Sequence, residues 1–521
     1  WDTLHWGGET QALIHNPQTG KVIGINAMGV APTGATAEFF NNMGLAYPPE
    51  YGPLAATTPG TPGGLMVMLA EYGTLRLADV LAPAIEMAGG YPIEAGTVQR
   101  INDNLHELIK WPYSKALFLS SDGGRLRAPR VGEMFRQPQL KATLEKLVAT
   151  EQAALDAGKD RKAAIYAAYD RFYRGDIAEE IVRSTREQGG LFTLRDLDEW
   201  QVYIEEPVTT SYRGIDVYKL TTWTQGPVLL QALNILENFD LAALTEAQWA
   251  SVMNQALAIT INSMADDRAE LDLQHVADKG WAAEQAENIR VPPASFPNAP
   301  AIMTTSSRPE ATDWTGSHWG PDSHHTTHFT IADCNGAVVS ITQTVGPLFG
   351  SRVITPKLGF VYASTMGSYL STADQAPGSR PRTTIAPTVV TRDGEVVLAL
   401  GAAGGIRILS AIVQTISRHI AQGRDPATAV ALPRVHPERG QDDAGDRVTY
   451  GDKVNLEMTP ERGWPAEVGE ALEADGFEVL PAEEHASFGR VHLVARSGST
   501  WTGVADLDWE GTTASAACGA R

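Results

Sequence analysis

Two cysteines in 521 residues leave no material for a disulfide framework or a cysteine-rich metal site. Cys334 and Cys518 stand far apart, and spacing alone argues no bridge between them. No run approaches the roughly 20 apolar residues that a membrane span needs, so no membrane partner is expected. Basic residues are scarce beside acidic ones, 41 Lys and Arg against 62 Asp and Glu, giving a net charge of −21. A field of that sign repels phosphates and argues against a nucleic-acid partner. The opening Trp1-Asp-Thr-Leu-His has neither the basic start nor the apolar core of a secretory signal. Internal repeats and low-complexity tracts are also missing. With 43% hydrophobic and 20% charged residues, the chain has ordinary globular composition.

Chain organisation follows from local pattern. Apolar runs at 11–14 and 22–25 flank the turn-rich Asn16-Pro-Gln-Thr-Gly20 and predict a hairpin. A mostly helical region is expected over about 60–280. It includes a helix capped by Thr74 with Leu77, Val80, Leu81 and Ile85 on one face. Further helices are expected at 139–157, at 176–188 with Asp176 as cap, at 228–238 and within 244–273. Residues 289–325 carry six prolines with no period and read as a long irregular connection. Strands follow. Residues 326–333 and 337–344 alternate about Asn335-Gly336, and 383–391 and 395–400 do so about Asp393-Gly394. Gly401-Ala-Ala-Gly404-Gly405 then leads into a helix at 407–421.

The commonest catalytic signatures are not there: no Gly-x-Ser-x-Gly elbow, no Walker loop, no His-Glu-x-x-His. Gly401 to Gly405 reads either as a tight strand-to-helix turn or as exposed backbone N–H groups that an oxyanion can approach. His324, His325 and His328 run into a strand, where successive side chains point to opposite faces, so no metal is expected. Thr326-Thr327 at the loop-to-strand junction are good β-formers on the plain view. On the functional view, cleavage before Thr326 would give a threonine whose own α-amine, with a pKa near 8, is the base for its hydroxyl.

The block Thr326-Thr-His-Phe-Thr-Ile-Ala-Asp333, with Asn335-Gly-Ala-Val-Val-Ser-Ile-Thr-Gln-Thr344 and Phe349-Gly-Ser351, resembles the small-subunit start of γ-glutamyltranspeptidases. Thr58-Pro-Gly-Thr-Pro-Gly-Gly64, Gly189-Gly-Leu-Phe-Thr193, Tyr212-Arg-Gly214, Ala265-Asp-Asp-Arg268, Arg380-Pro381 and Ala386-Pro-Thr388 follow the family's order. This resemblance implies an α+β fold, a four-layer αββα sandwich of the N-terminal-nucleophile hydrolase type. It implies self-cleavage between His325 and Thr326 into a large part, 1–325, and a small part, 326–521, which stay associated as one unit. It also implies that the chain lacks the family's leading segment, where any targeting signal would lie. The compartment is left open between a bacterial-type periplasm and cytoplasm, and a homodimer is left open as well.

By the same resemblance Thr326 matches the nucleophile and Thr344 the second threonine, near the new amine. Gly404 and Gly405 match the oxyanion-hole pair, and Thr383 and Thr384 a serine pair that contacts substrate. The departures lie in the glutamyl pocket. Met28 stands where the family has an Arg, Gly346 where it has Asn, and Thr365 and Ser368 where Gln and Asp hold the α-amine. Arg382, directly before Thr383, reads either as a solvated strand-end residue or as a relocated anion anchor. The expected activity is therefore hydrolysis of a small-molecule amide, with water or an amine as acceptor and no cofactor. Cephalosporin acylases and oxamate amidohydrolase are the relatives it points to. The alternatives are a γ-glutamyl transferase with a rebuilt pocket and an uncleaved, inactive homologue that acts as a binding protein.

Overall fold

Apolar residues on both faces of the central strands decide the layering. The computed structural model describes residues 3–266, 278–293, 302–303, 325–370, 376–441, 448–458, 462–482, 488–506 and 511–516. The strands that frame the site are β1 (Glu9–Asn16), β2 (Lys21–Ala27), β3 (Tyr203–Glu205), β4 (Val208–Tyr212), β5 (Ile215–Lys219) and β6 (His325–Ala332). They continue with β7 (Val338–Gly346), β8 (Thr388–Arg392), β9 (Glu395–Ala403), β10 (Arg490–Ser497) and β11 (Thr500–Ala505). One antiparallel sheet has the order β6-β7-β1-β2-β3, and a second has β11-β10-β9-β8-β5-β4.

Leu13 and Val338 of the first sheet share a buried cluster with Val389, Val396 and Ala399 of the second, so the sheets stack face to face. Their neighbours point outward. Ala12 and Ile14 pack against Met68 of helix α1 (Thr61–Tyr72), while Val390, Leu398 and Leu400 join the helices behind the second sheet. Those helices are α2 (Gly226–Leu236), α3 (Glu246–Asp266) and α4 (Arg407–Ile416). The result is helix, sheet, sheet, helix: the αββα sandwich. Ser340 stitches the sheets at mid-layer by donating to Leu400 O at 3.0 Å and accepting the Thr388 N–H at 3.2 Å. Each sheet interleaves strands from both sides of the His325–Thr326 peptide. A cut there would leave the two parts hydrogen-bonded through both sheets.

Several expectations need correction. The helix at Leu77–Gly89 is capped by Arg76 with Asp79, not by Thr74, and Val80 lies on its exposed side. Asp176 is the first residue of its helix, behind Gly175. The 60–280 region is not all helical, because β3, β4 and β5 lie within it. Residues 383–387 are irregular, since Pro381 and Pro387 bracket them and remove ladder donors. The helix expected within 244–273 is seen as Glu246–Asp266, and residues 267–277 lie outside the described residues. Most of the 289–325 connection also lies outside them, although Ile302–Met303 pairs with Arg462–Gly463. Cys334 is disulfide-bonded, and Cys518 lies outside the described residues.

Candidate active site

Thr326 stands at a break in the β6–β7 ladder. His325 pairs with Gly346 and Thr327 with Gln343, so the register shifts at the residue between them. A bulge of this kind re-aims a side chain at the edge of a regular ladder. Thr344 lies opposite it. Its hydroxyl donates to the His325 carbonyl oxygen at 2.7 Å and accepts the Gly346 N–H at 2.9 Å. That carbonyl belongs to the peptide bond expected to break. A donor already on it is placed to stabilise negative charge when the bond is attacked.

The glycine turn at the end of β9 closes the same region from the second sheet. Ala403 pairs in register with Arg490, and a Cβ on Gly404 would lie 2.7 Å from the Gly489 Cα. Gly404 (φ 136°) and Gly405 (φ 58°) adopt backbone that other residues rarely take. The opposing Gly489 is held by a buried network. Arg434 donates to the Phe488 and Gly489 carbonyls and pairs with Asp506 at 2.7 Å, and Asp506 also pairs with Arg462 at 3.0 Å. Burial would push the Asp506 carboxyl up, but the two guanidinium groups outweigh it and hold it well below the carboxylate range. Thr326 and Ala403, the residue before the glycine pair, line one cavity of about 420 Å³.

Among the expected head-group residues, Met28, Gly346 and Thr365 do not line that cavity. Met28 and Thr365 are fully buried; the Gln11 amide donates to the Met28 sulfur at 2.6 Å, and Thr365 donates to Glu9 at 3.0 Å. Gly346 is buried beside Ser364, and the Ser368 side chain lies outside the described ones. Thr383 is buried, accepting the Ile385 N–H at 3.2 Å, Thr384 is half-buried and Arg382 is exposed. None of these three lines the cavity at Thr326. Glu9 is the residue that sequence reasoning missed. It faces Thr344 across the β1–β7 ladder and is fully buried, and among the described residues one of its carboxylate oxygens has no hydrogen-bond partner. Burial pushes its carboxyl up to about 8, and the polar groups of Thr365, Gln11 and Gly29 oppose the shift without reversing it.

A pH dependence follows from Glu9. Between about 4.5, its ordinary value, and about 8, the folded chain holds a proton that the unfolded chain has released. Stability from this group therefore falls as pH rises through that window, by at most about 1.4 kcal/mol per pH unit. Glu9→Gln removes the contribution. In thermal melts, its advantage over the unmutated chain should be small at pH 5 and largest at pH 8. Equal pH dependence of the two chains would show that Glu9 ionises freely.

Residues of the cavity wall escaped notice as well, because an isolated Arg or His carries no signal of burial. Arg100, Arg490 and His492 all line it, beside His328. His328 bonds Thr342 through Nδ1 at 2.8 Å, and burial, reinforced by the charges of His492 and Lys219, holds it well below its usual range. His324 lies outside the described residues.

Comparison with known proteins agrees with this geometry. The gamma-glutamyltranspeptidase family profile matches residues 5–516. The acylase ACY 1 proenzyme of Pseudomonas sp. (strain V22) is 29% identical over 514 residues, covering 95% of this chain and 82% of that one. The glutathione hydrolase proenzyme of Escherichia coli (strain K12) is 26% identical over 504 residues, 92% of this chain and 78% of that one. The cephalosporin acylase from Bacillus halodurans shares the fold, with a TM-score of 0.78 over 98% of this chain and 89% of its own, at 24% identity. No helix among the described residues is long and apolar enough to cross a membrane. A match that runs through both sheets and both walls of the cavity is decisive: the chain belongs to the γ-glutamyltranspeptidase family, as a divergent hydrolytic member.

Proposed function

We propose that the chain is a self-processing amidohydrolase with Thr326 as both the processing and the catalytic nucleophile. The observation that carries this reading is the Thr344 hydroxyl bound to the His325 carbonyl at 2.7 Å. In processing, the Thr326 hydroxyl adds to that carbonyl, and the peptide C–N bond breaks as the nitrogen takes a proton, leaving an ester. Water hydrolyses the ester, giving the His325 carboxylate and a free Thr326 amine and hydroxyl. In catalysis the amine takes the hydroxyl proton as Thr326 attacks a substrate amide. The Gly404 and Gly405 N–H groups receive the oxyanion, the leaving amine takes the proton, and water or an amine acceptor releases the acyl group. The two fragments, 325 and 196 residues long, stay joined through the interleaved sheets.

The acyl group is not γ-glutamyl. Met28 and Thr365 are buried in contacts of their own, and neither offers a charged partner to an amino-acid head group. Each lost charge-assisted hydrogen bond costs about 1.5–3 kcal/mol, so losing several weakens binding by about 10²-fold or more. γ-Glutamyl-p-nitroanilide should accordingly turn over at least that much more slowly than the best simple acyl anilide in a hydrolysis screen. Comparable turnover would return the chain to the γ-glutamyl transferases.

A further inference from the structure

A carboxylic acid stands two strands away from the bond expected to break. Thr326 lies beside Thr344 at the bulge in the β6–β7 ladder, and Thr344 is paired with Glu9 in the β7–β1 ladder. The row Thr326, Thr344, Glu9 thus crosses three neighbouring strands. Residues directly opposed in such a ladder share a face, with Cβ atoms about 4.5–5.5 Å apart. The face is the one between the sheets, because Glu9 alternates with Leu13 and Thr344 with Val338. The Glu9 carboxyl accepts the Thr365 hydroxyl at 3.0 Å, and Thr365 bonds Thr57 at 3.3 Å. Besides burial, the influences on this carboxyl are three neutral groups, Thr365, Gln11 and Gly29. The histidines on the same strands are uncharged too. His5, just before β1, accepts the Val361 N–H at 3.3 Å, and burial pushes it down to about 3. His328 bonds Thr342, one row along from Thr344, and is held well below its usual range by burial. Among the described residues, Glu9 Oε1 and Gln11 Oε1 have no hydrogen-bond partner.

We propose that Glu9, as a neutral acid, is a positioning residue for self-cleavage: it leaves the Thr344 hydroxyl aimed at the His325 carbonyl, where an ionised Glu9 would draw that hydroxyl away. Thr344 has one proton to give. It goes to the His325 carbonyl at 2.7 Å, and the Gly346 carbonyl, also within reach, is at 3.5 Å. Hydrogen bonds to an ionised acceptor are roughly twice as strong as those to a neutral one. A Glu9 anion, with one oxygen lacking a donor, would therefore compete for that proton across the ladder. The neutral acid does not compete. Burial among neutral groups keeps Glu9 protonated up to about pH 8, so the favourable state is the one present at neutral pH. The assignment rests on the self-cleavage reading above and deepens it, because Glu9 acts through Thr344 and not on the reacting atoms.

The test follows self-cleavage of freshly made full-length chain, pulse-labelled in a cell-free system and moved into buffers from about pH 6 to about pH 9. The rate for Glu9→Gln is divided by that of the unmutated chain, which cancels the titrations the two share. Glutamine keeps the size of the neutral acid and cannot ionise. Relative to its value at low pH, the ratio should stay flat up to about pH 7, then reach about 2 at pH 8 and about 10 at pH 9. In a Thr344→Val background no hydroxyl is left to redirect, so the same ratio should stay flat throughout. Native-gel mobility shows that each chain remains folded. Where the unmutated chain unfolds at the alkaline end, the roughly twofold rise between pH 7 and pH 8 carries the comparison. A ratio that does not change with pH makes Glu9 a packing residue and overturns the proposal. A ratio that climbs equally in the Thr344→Val background also overturns it, since Glu9 would then act by another route. If the unmutated chain is never cut, the self-cleavage reading fails and takes this one with it; if it is cut and the ratio is flat, this one fails alone.

Discussion

Thr326→Ala should leave a single uncut chain of 521 residues with no amidase activity above background. The effect is all-or-none because one hydroxyl serves twice. Without it nothing attacks the His325 carbonyl, so no free α-amine appears, and without the amine no other hydroxyl gains a base of suitable pKa. Thr327 cannot take over. Its hydroxyl is bound to Thr3 at 2.8 Å, and it lies one residue away from the carbonyl that Thr344 marks. Thr326→Ser keeps the hydroxyl and should still cut. Denaturing electrophoresis with an anilide assay reads both variants, and an alanine variant that still processes would remove Thr326 from the mechanism.

Thr344→Val is expected to slow self-cleavage by about 10²- to 10³-fold, the usual cost of deleting one oxyanion donor. Valine keeps the shape and loses the hydroxyl, which donates to the His325 carbonyl and accepts the Gly346 N–H. Thr344→Ser should restore most of the rate. Time courses of fragment appearance after expression separate these cases. The split between processing and turnover is informative as well. If Thr344 acts on the scissile carbonyl, the small fraction of Thr344→Val that does mature should lose less in anilide hydrolysis than in cleavage. Unchanged cleavage kinetics would reduce the hydrogen bond to a packing contact.

Legibility in the sequence followed local chemistry. The Asp393-Gly394 turn was readable because both residues take positive φ, 51° and 82°, and that pair of residue types tolerates it. The hairpin of β4 and β5 makes the same turn at Arg213-Gly214, with φ of 49° and 79°, but an arginine at that position gives no such signal. Those strands were therefore absorbed into a helical region. Residues 383–387 misled in the opposite direction: Thr-Thr-Ile looks like strand, while the flanking prolines prevent pairing. Thr326, Thr344 and the glycine pair could be proposed from the sequence because they form ordered blocks along the chain. Glu9, Arg100 and Arg490 could not. Each is a single charged residue in a pattern that fits a solvated face equally well, and only the stacking of the two sheets buries them. Arg382 illustrates the reverse case, since its position before the hydroxyl pair suggested an anchor and the folded chain leaves it exposed and off the cavity wall.

The central claim, that the His325–Thr326 bond is broken to create the nucleophile, is tested most directly by intact mass and N-terminal sequencing of the purified chain. The account predicts two fragments in equal amount that co-purify until denatured, the smaller 196 residues long and beginning Thr326-Thr-His-Phe. A single full-length species, or a small fragment that begins at any other residue, would contradict it.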